Sequence, residues 1–243
     1  MTADRVGATI LSTIKIMSAG AVQSMVSALG PEFERESGHM LDLNFNTVGS
    51  LRARLEGGEL TDLAILSQSA IAALDKQGLL LPGSIVDLGA TITGVVIKEG
   101  APVPDISTPE ALKAALLKAR GVSYSDPAAG GSSGTYFAGV LEKLGIADRV
   151  NPGAVLGKRG YEVAEAVADG RAEIGTTFIS EALTVKGVTV VGPLPGDLYN
   201  ANGYTAAVHV RSAVGDTARA FVRKLTDPAA RDRWIAAGLE PAF

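Results

Sequence analysis

The chain of 243 residues contains no cysteine and only two histidines, His39 and His209. The absence of cysteine excludes disulfide bonds, thiolate metal sites and thiol nucleophiles, and two histidines are too few for a histidine-rich metal site. We therefore predict no metal site and no cofactor. His209 lies in a β-run and is expected to be a buried, hydrogen-bonded imidazole, whereas His39 follows a glycine at a turn and is expected to be exposed.

The chain also lacks a block of basic residues and a long apolar run. Its 22 Lys and Arg against 26 Asp and Glu give a net charge of −4, which makes nucleic acid and anionic membranes poor partners. No run of about 18 apolar residues occurs, so membrane insertion is not expected. Residues 1–20 show no signal-peptide core and no clean cleavage site. The chain as written therefore predicts a cytoplasmic protein, and a removed signal peptide would make it periplasmic.

The first eighty residues alternate between short β-runs and helical segments, a pattern typical of a parallel sheet covered by helices. A second β/α unit follows, and two helices close the chain. The predicted strands are 14–18, 41–45, 62–67, 90–100, 121–126, 172–178, 188–194 and 202–210. The predicted helices are 21–38, 50–58, 69–78, 107–119, 160–170, 179–183, 216–227 and 228–238, the first disturbed near Gly30-Pro31.

The two long β-runs, 90–100 and 202–210, bracket the second unit. Paired strands that cross between two lobes would form a hinge. We therefore predict an α/β, two-lobed clamshell with two hinge strands, in which each lobe is a mainly parallel sheet flanked by helices. The predicted first lobe comprises residues 1–91 and 205–243, and the second comprises residues 92–204.

Glycine and small polar residues follow several of the predicted strands. In open α/β sheets, ligands bind beyond the carboxyl ends of the strands, and helix N-termini there present free N–H groups and a positive dipole end. Several such ends that converge make an anion site. The loop "GGSSGT" (130–135) is the richest of them, and its glycines allow backbone amides to approach a ligand. The alternative is that these loops are only turns and helix caps.

The order and spacing of several segments carry a family resemblance. These segments are "IKIMSAGAVQSMVSAL", "FNTVGSLRARLEGGELTDLAILS", "SDPAAGGSSGTYFAGVLEKLGI", "VADGRAEIGTTFISEAL" and "KGVTVVGPLP". Together they resemble the type II periplasmic binding-protein fold in its molybdate-binding branch. Within that branch the chain is similar to a subgroup of substrate-binding-domain proteins related to aconitate isomerase. The resemblance implies a clamshell that closes on an anion.

The chain departs from the molybdate binders at three positions. Ala21 and Val48 stand where the resemblance implies serines, and Phe178 stands where it implies a tyrosine. The loss of three hydroxyls would leave a tetrahedral oxyanion under-bonded in a closed site, so we expect an organic anion. The candidate substrate-binding residues are Ser18, Ala19, Gly20, Thr47, Val48, Gly49, Ser50, Ser67, Gly131, Ser132, Ser133, Gly134, Thr135, Lys158, Arg159, Gly160 and Phe178.

The sequence leaves the catalytic residue open. Lys158 and Arg159 suit a carboxylate clamp, since guanidinium grips a planar carboxylate with two parallel bonds; the alternative is a solvated loop. Glu181 follows a strand end and would serve as a base if desolvated; the alternative is helix capping. Ser18 is the other candidate, although no His or Lys partner supports a nucleophile triad.

Two functions follow from this pattern. The first is an isomerase of the aconitate isomerase kind, which shifts an allylic proton in a di- or tricarboxylate. The second is a solute-binding receptor that delivers an organic acid or oxyanion to an ABC importer. The ligand is a small organic anion in both cases, and an ABC permease is a partner only in the second.

Overall fold

The computed structural model describes residues 12–243. Residues 1–11, on which the signal-peptide prediction and the start of the predicted first lobe fall, lie outside the described residues. The strands are β1 (Thr13–Ala19), β2 (Met40–Asn46), β3 (Leu63–Ser67), β4 (Val86–Lys98), β5 (Val122–Ser125), β6 (Val155–Gly157), β7 (Ile174–Phe178), β8 (Val188–Pro193), β9 (Ala201–Val208) and β10 (Leu239–Pro241). The α-helices are α1 (Gln23–Ser37), α2 (Val48–Glu56), α3 (Gln68–Lys76), α4 (Pro109–Lys118), α5 (Ser132–Lys143), α6 (Ala147–Val150), α7 (Gly160–Ala168), α8 (Ile179–Ala182), α9 (Gly215–Leu225) and α10 (Arg231–Ala236).

The predicted disturbance near Gly30-Pro31 is wrong, because α1 runs unbroken from Gln23 to Ser37. Pro31 lies on the exposed side of this helix. Leu29 and Phe33, on the other side, are almost fully buried in the core. Packing of an amphipathic face outweighs the weak local preference of single residues. The helix ends at Gly38, whose φ of 73° is in the left-handed region that favours glycine.

In the described part of the chain, ten strands form one continuous sheet path that bends between two lobes. The order is β2-β1-β3-β9-β4-β7-β5-β6, with β8 and β10 pairing with β4. In the first lobe β1 is parallel to β2 and β3, and β9 is antiparallel to β3. In the second lobe β5 is parallel to β6 and β7. The three parallel strands of each lobe bring their carboxyl ends toward the same cleft.

Strand β4 belongs to both lobes. Its residues up to Ile92 pair with β9 and β10, and its residues from Thr93 onward pair with β7 and β8. Strand β9 pairs only within the first lobe, so the chain returns to that lobe just before Ala201. The predicted lobe boundaries at 91/92 and 204/205 lie one and four residues from these two points and stay a prediction.

Each lobe has its own hydrophobic core. The first core is built from β1, β3, β9 and the helices that cover them, and it includes the fully buried Trp234, whose Nε1 donates to the Leu225 carbonyl over 3.0 Å. The second lobe packs around Phe137 and Leu141 of α5, with a smaller cluster around Val96. Phe178, at the end of β7, packs against the first core and thus bridges the lobes. Among residues 12–243, no helix combines the length and apolar character needed to cross a bilayer.

Candidate functional site

A small cavity of about 30 Å³ lies between the lobes, with walls from both. That volume holds about two water molecules, so the cleft is nearly closed. The walls comprise Ala19, Gly20, Ala21, Gln23, Phe45, Asn46, Thr47, Val48, Ser125, Gly131, Ser132, Ser133, Lys158, Arg159, Gly160, Tyr161, Phe178, Glu181 and Tyr204. An open vestibule of about 430 Å³ adjoins it and shares Lys158, Arg159 and Tyr161 with it.

Two helices of the second lobe begin at the cavity without a side-chain cap. Gly131 precedes α5 and Arg159 precedes α7, and neither residue caps the helix that follows with its side chain. The first N–H groups of α5 and the Tyr161 amide of α7 therefore remain available for a ligand, whereas the Gly160 amide donates toward the Glu181 carboxyl. By contrast, α2 is capped by its own Thr47, whose hydroxyl accepts from the Ser50 amide. The amide donors of the cleft thus come chiefly from the second lobe.

Two hydrogen bonds, one between backbone groups and one from a side chain, connect the two lobes at the mouth of the cleft. The Gly49 amide donates to the Gly130 carbonyl over 3.1 Å, and the Thr47 hydroxyl donates to the Ala129 carbonyl over 2.8 Å. We call these four residues the interlobe latch. A Cβ on Gly49 would lie 3.0 Å from Gly130 Cα, and Gly130 itself has a φ of 74°. Close approach of the lobes therefore requires glycine at both positions.

Helix α8 is fixed at the back of the cleft by Ser180. Its hydroxyl donates to the Ala21 carbonyl of the first lobe over 2.8 Å and lies 2.8 Å from the Thr91 hydroxyl. The next residue, Glu181, points its carboxyl between Gly20 of the first lobe and Gly160 of the second. A Cβ on Gly20 would lie 3.1 Å from Oε1, and a Cβ on Gly160 would collide with Oε2. The two glycines make the space that the carboxyl occupies.

The surroundings of Glu181 favour its neutral form. Burial raises the pKa of Glu181 to about 7, although the Gly160 amide and the Thr177 hydroxyl act in the opposite direction. The Thr177 hydroxyl is buried beside the carboxyl but makes no hydrogen bond of standard geometry to any described residue. No Lys or Arg within residues 12–243 forms an ion pair with Glu181. A carboxyl whose pKa lies near neutrality is suited to accept and release protons.

Tyr204 of β9 reaches the cavity from the first lobe. The residue is 1% exposed, and its ring meets that of Phe178 edge to face at 6.4 Å. Burial raises the pKa of Tyr204, and the nearby Glu181 raises it further, while the side chains of Asn202 and Ser132 lower it by hydrogen bonding. The phenol is therefore held protonated next to Glu181.

Two cations stand where the cavity opens into the vestibule. Lys158 is exposed and Arg159 is half-buried, and both line the cavity as well as the vestibule. Within the described part of the chain, neither side chain forms an ion pair. The Glu162 carboxylate, also in the vestibule, accepts from the Lys158 amide over 2.8 Å. Because these two cations form no ion pairs among the described residues, the vestibule is suited to bind an anionic group.

Most of the predicted site residues come together at this cavity, and some do not. Those on its wall are Ala19, Gly20, Thr47, Val48, Gly131, Ser132, Ser133, Lys158, Arg159, Gly160, Phe178 and Glu181. Ser50 faces the vestibule, and Gly49, Ser67 and Thr135 face a separate pocket of about 490 Å³. Ser18 is fully buried and its hydroxyl donates to the Ala19 carbonyl over 3.3 Å. Gly134 packs against the Ser125 backbone.

The two histidines differ from expectation in detail. His209 is buried, and its Nδ1 accepts from the Arg211 amide, but its Nε2 has no hydrogen-bond partner among residues 12–243. His39 is half-buried rather than exposed, because its Nδ1 lies 2.8 Å from the Ser12 hydroxyl. Neither histidine lines the cavity. No cluster of three metal-ligating side chains occurs in the part of the chain that the structure describes.

Sequence reasoning missed several wall residues, among them Gln23, Phe45, Asn46, Ser125 and Tyr204. Asn46 and Ser125 end β2 and β5, so the strand-end rule that identified their neighbours also covers them. Tyr204 was the hardest of these residues to predict from the sequence, because it lies inside a β-run with no loop character. Its place in a predicted hinge strand was the one signal for it.

Comparison with known proteins agrees with this geometry. The family model for bacterial extracellular solute-binding proteins matches residues 14–240. The chain is 29% identical over 236 residues to an aconitate isomerase of Pseudomonas sp, covering 95% of this chain and 88% of that protein. It is 24% identical over 221 residues to the molybdate-binding protein ModA of Escherichia coli (strain K12), covering 90% and 85%. The periplasmic molybdate-binding protein of Azotobacter vinelandii superposes with a TM-score of 0.74 at 20% identity, covering 93% and 98%.

These similarities run over nearly the whole chain and confirm the predicted two-lobed α/β fold.

Proposed function

The chain belongs to the family of bacterial extracellular solute-binding proteins, in the molybdate-binding branch of the type II periplasmic binding fold, and we propose that it isomerises an unsaturated carboxylate. In this proposal the interlobe cleft binds a di- or tricarboxylate and shifts an allylic proton, as the name of the aconitate isomerase relative suggests. The observation that carries the proposal is Glu181, a half-buried residue on the cavity wall whose carboxyl is desolvated enough to have a pKa of about 7. A carboxyl with a pKa near neutrality can take up a proton in its ionised form and release it again, which proton transfer requires.

The cavity wall supports a carbon-based ligand rather than a tetrahedral oxyanion. Ala21, Val48 and Phe178 all line the cavity, so its wall is apolar at three positions where the resemblance to molybdate binders implies hydroxyls. An oxyanion with four charged oxygens would lose solvation there without gaining hydrogen bonds. A carboxylate has its charge at one end and a hydrocarbon part that suits an apolar wall.

The binding roles follow from where the donors lie. The uncapped starts of α5 and α7 would hold one carboxylate through backbone amides. Lys158 and Arg159 would hold a second carboxylate at the vestibule, where Arg159 offers paired donors. The carbon chain between the two groups would then lie over Glu181.

The chemistry needs one proton removed and another delivered. Glu181 in its ionised form would take a proton from the CH₂ next to the double bond, and the pair of electrons left behind would move the double bond by one position. Closure of the cleft excludes water, which strengthens the carboxylate as a base and protects the intermediate.

Incubation of the protein with cis- and trans-aconitate, followed by ¹H NMR, tests the proposal. Interconversion is expected with the wild type and should be lost in Glu181→Gln, which keeps the size of the side chain. Glu142→Gln, at an exposed position on α5 outside the cavity and the vestibule, serves as a matched control for the loss of a carboxylate. If the wild type does not interconvert the two isomers at ligand concentrations that saturate the protein, the proposed isomerase activity is contradicted.

A solute-binding receptor for an ABC importer is the second candidate. Family membership and the interlobe latch favour it, because receptors of this fold close around their ligands. A thermal-shift screen of carboxylates against molybdate, tungstate, sulfate and phosphate separates the two. A clear shift without turnover would favour the receptor, with an ABC permease as partner and a periplasmic location. Saturating ligand stabilises by about 3 kcal/mol at a hundred times its Kd.

A further inference from the structure

Glu181 supplies only one of the two groups that an allylic proton shift requires. The proton leaves one carbon and another proton arrives two carbons away along the chain. A single carboxyl would have to move between these carbons, but α8 is fixed to the first lobe by the hydrogen bonds of Ser180 with Ala21 and Thr91. A second proton donor at the cavity would remove this need.

We propose that Tyr204 is this second proton-transfer residue and that it protonates the far carbon of the allylic system. This inference rests on the isomerase function proposed above. Tyr204 lines the same cavity as Glu181. It reaches the cavity from β9, at the register where Tyr204 pairs with Ser67 of β3, whereas Glu181 comes from the second lobe. The two groups thus approach the ligand from different sides.

The neighbours of Tyr204 equip its hydroxyl for proton transfer rather than for packing alone. Burial and the charge of Glu181 raise the pKa of the phenol, while the side chains of Asn202 and Ser132 lie close enough to lower it. Asn202 Nδ2 is buried with no partner of standard geometry among residues 12–243. It is therefore free to donate to a phenolate oxygen when the proton leaves.

The phenol of Tyr204 also takes the place of the one that Phe178 lacks. Phe178 stands where the resemblance to molybdate binders implies a tyrosine, and the rings of Phe178 and Tyr204 are in edge-to-face contact. A hydroxyl is therefore present beside Phe178, but it enters from β9 of the first lobe instead of from the end of β7.

The step balances without any oxidant or co-reactant. The C–H bond of the CH₂ breaks, and its proton forms an O–H bond with Glu181. The electron pair left behind spreads over the three allylic carbons, and protonation of the far carbon by Tyr204 forms the new C–H bond and fixes the double bond in its new position. Return of a proton to the first carbon instead gives exchange without isomerisation. The phenolate then recovers a proton from the Glu181 carboxyl, which restores both groups.

Deuterium exchange distinguishes removal of the proton from the CH₂ carbon from delivery of a proton to the far carbon. In D₂O, wild-type protein is expected to isomerise the substrate and to exchange protons with solvent. Tyr204→Phe is expected to slow isomerisation by at least about a hundredfold, while exchange at the CH₂ continues because Glu181 is intact. Glu181→Gln is expected to lose both reactions. Tyr199→Phe is the matched control, because this tyrosine is exposed and its hydroxyl lies 3.4 Å from Glu240.

Three results overturn the inference. Isomerisation by Tyr204→Phe within threefold of the wild-type rate would show that the phenol donates no proton. Equal loss of isomerisation and exchange, with substrate affinity unchanged, would assign Tyr204 to the same step as Glu181. If the wild type neither isomerises the substrate nor exchanges its protons, the proposed isomerase function is wrong, and the role of Tyr204 is rejected with it.

Discussion

The position of Glu181 predicts an unusual dependence of stability on pH. Glu181 lies between Gly20 and Gly160 with no ion-pair partner among the described residues, and burial raises the pKa of its carboxyl to about 7 from an ordinary value of 4.5. The folded state therefore binds a proton more tightly than the unfolded state. Stability is greatest below pH 4.5 for this group and falls as the pH rises through 7.

The size of the effect follows from the two pKa values. A difference of about 2.5 pH units at 1.36 kcal/mol per unit gives about 3 kcal/mol. Glu181→Gln removes the ionisation but retains the volume and one oxygen. The variant should match the wild type near pH 4.5 and should be more stable by about 3 kcal/mol at pH 8.

Urea unfolding of both proteins at several values between pH 4.5 and 8 measures this difference directly. Burial lowers the pKa of His209, so this group adds stability as the pH rises, with the opposite sign to Glu181. That contribution is present in both proteins and cancels in the difference. Glu142→Gln, an exposed position on α5, should follow the wild-type curve. A constant difference between wild type and Glu181→Gln across this range would refute the desolvated carboxyl.

Three further predictions concern closure, charge and packing. Gly49→Ala should weaken ligand binding, measured by calorimetry, by about tenfold or more, because the added Cβ would press on Gly130. Gly139→Ala is the control and should bind normally, because an added Cβ there would have no neighbour within 4 Å. Arg159→Gln should raise the Kd for dicarboxylates by about tenfold and leave that for monocarboxylates unchanged; an equal effect on both would contradict the clamp. Trp234→Phe should lower the free energy of unfolding by about 2 kcal/mol, since it deletes a buried hydrogen bond and leaves a cavity; an unaltered urea midpoint would argue against this.

The sequence was most informative where local chemistry decides the outcome. Strands β1 and β3 and helix α7 were predicted within a few residues, because apolar alternation and helix periodicity are local signals. Strands β6 and β10 were missed because three residues carry too little pattern. The burial of Ser18 was missed because the end of β1 is buried on both faces, so alternation does not tell which side a residue occupies.

The chemistry of the site depends on contacts that no local pattern records. Glu181 reads in the sequence as a residue in the first turn of a short helix, and only the packing of α8 against both lobes shows that its carboxyl is desolvated. Tyr204 reads as one apolar position in a strand. It meets Glu181 only because β9 pairs with β3 and β4 at the hinge. Both properties arise from tertiary structure.

Cleft closure offers a physical route from a receptor to an isomerase on this fold. In an open cleft the Glu181 carboxyl would meet water and would be a weak base. Closure, which the glycines of the interlobe latch permit, removes that water and raises its pKa toward neutrality. Gly160 then has two roles, because its amide donates toward the Glu181 carboxyl and its missing side chain makes space for Oε2. Any side chain at position 160 would displace the Glu181 carboxyl, so the proposed proton transfer requires glycine there.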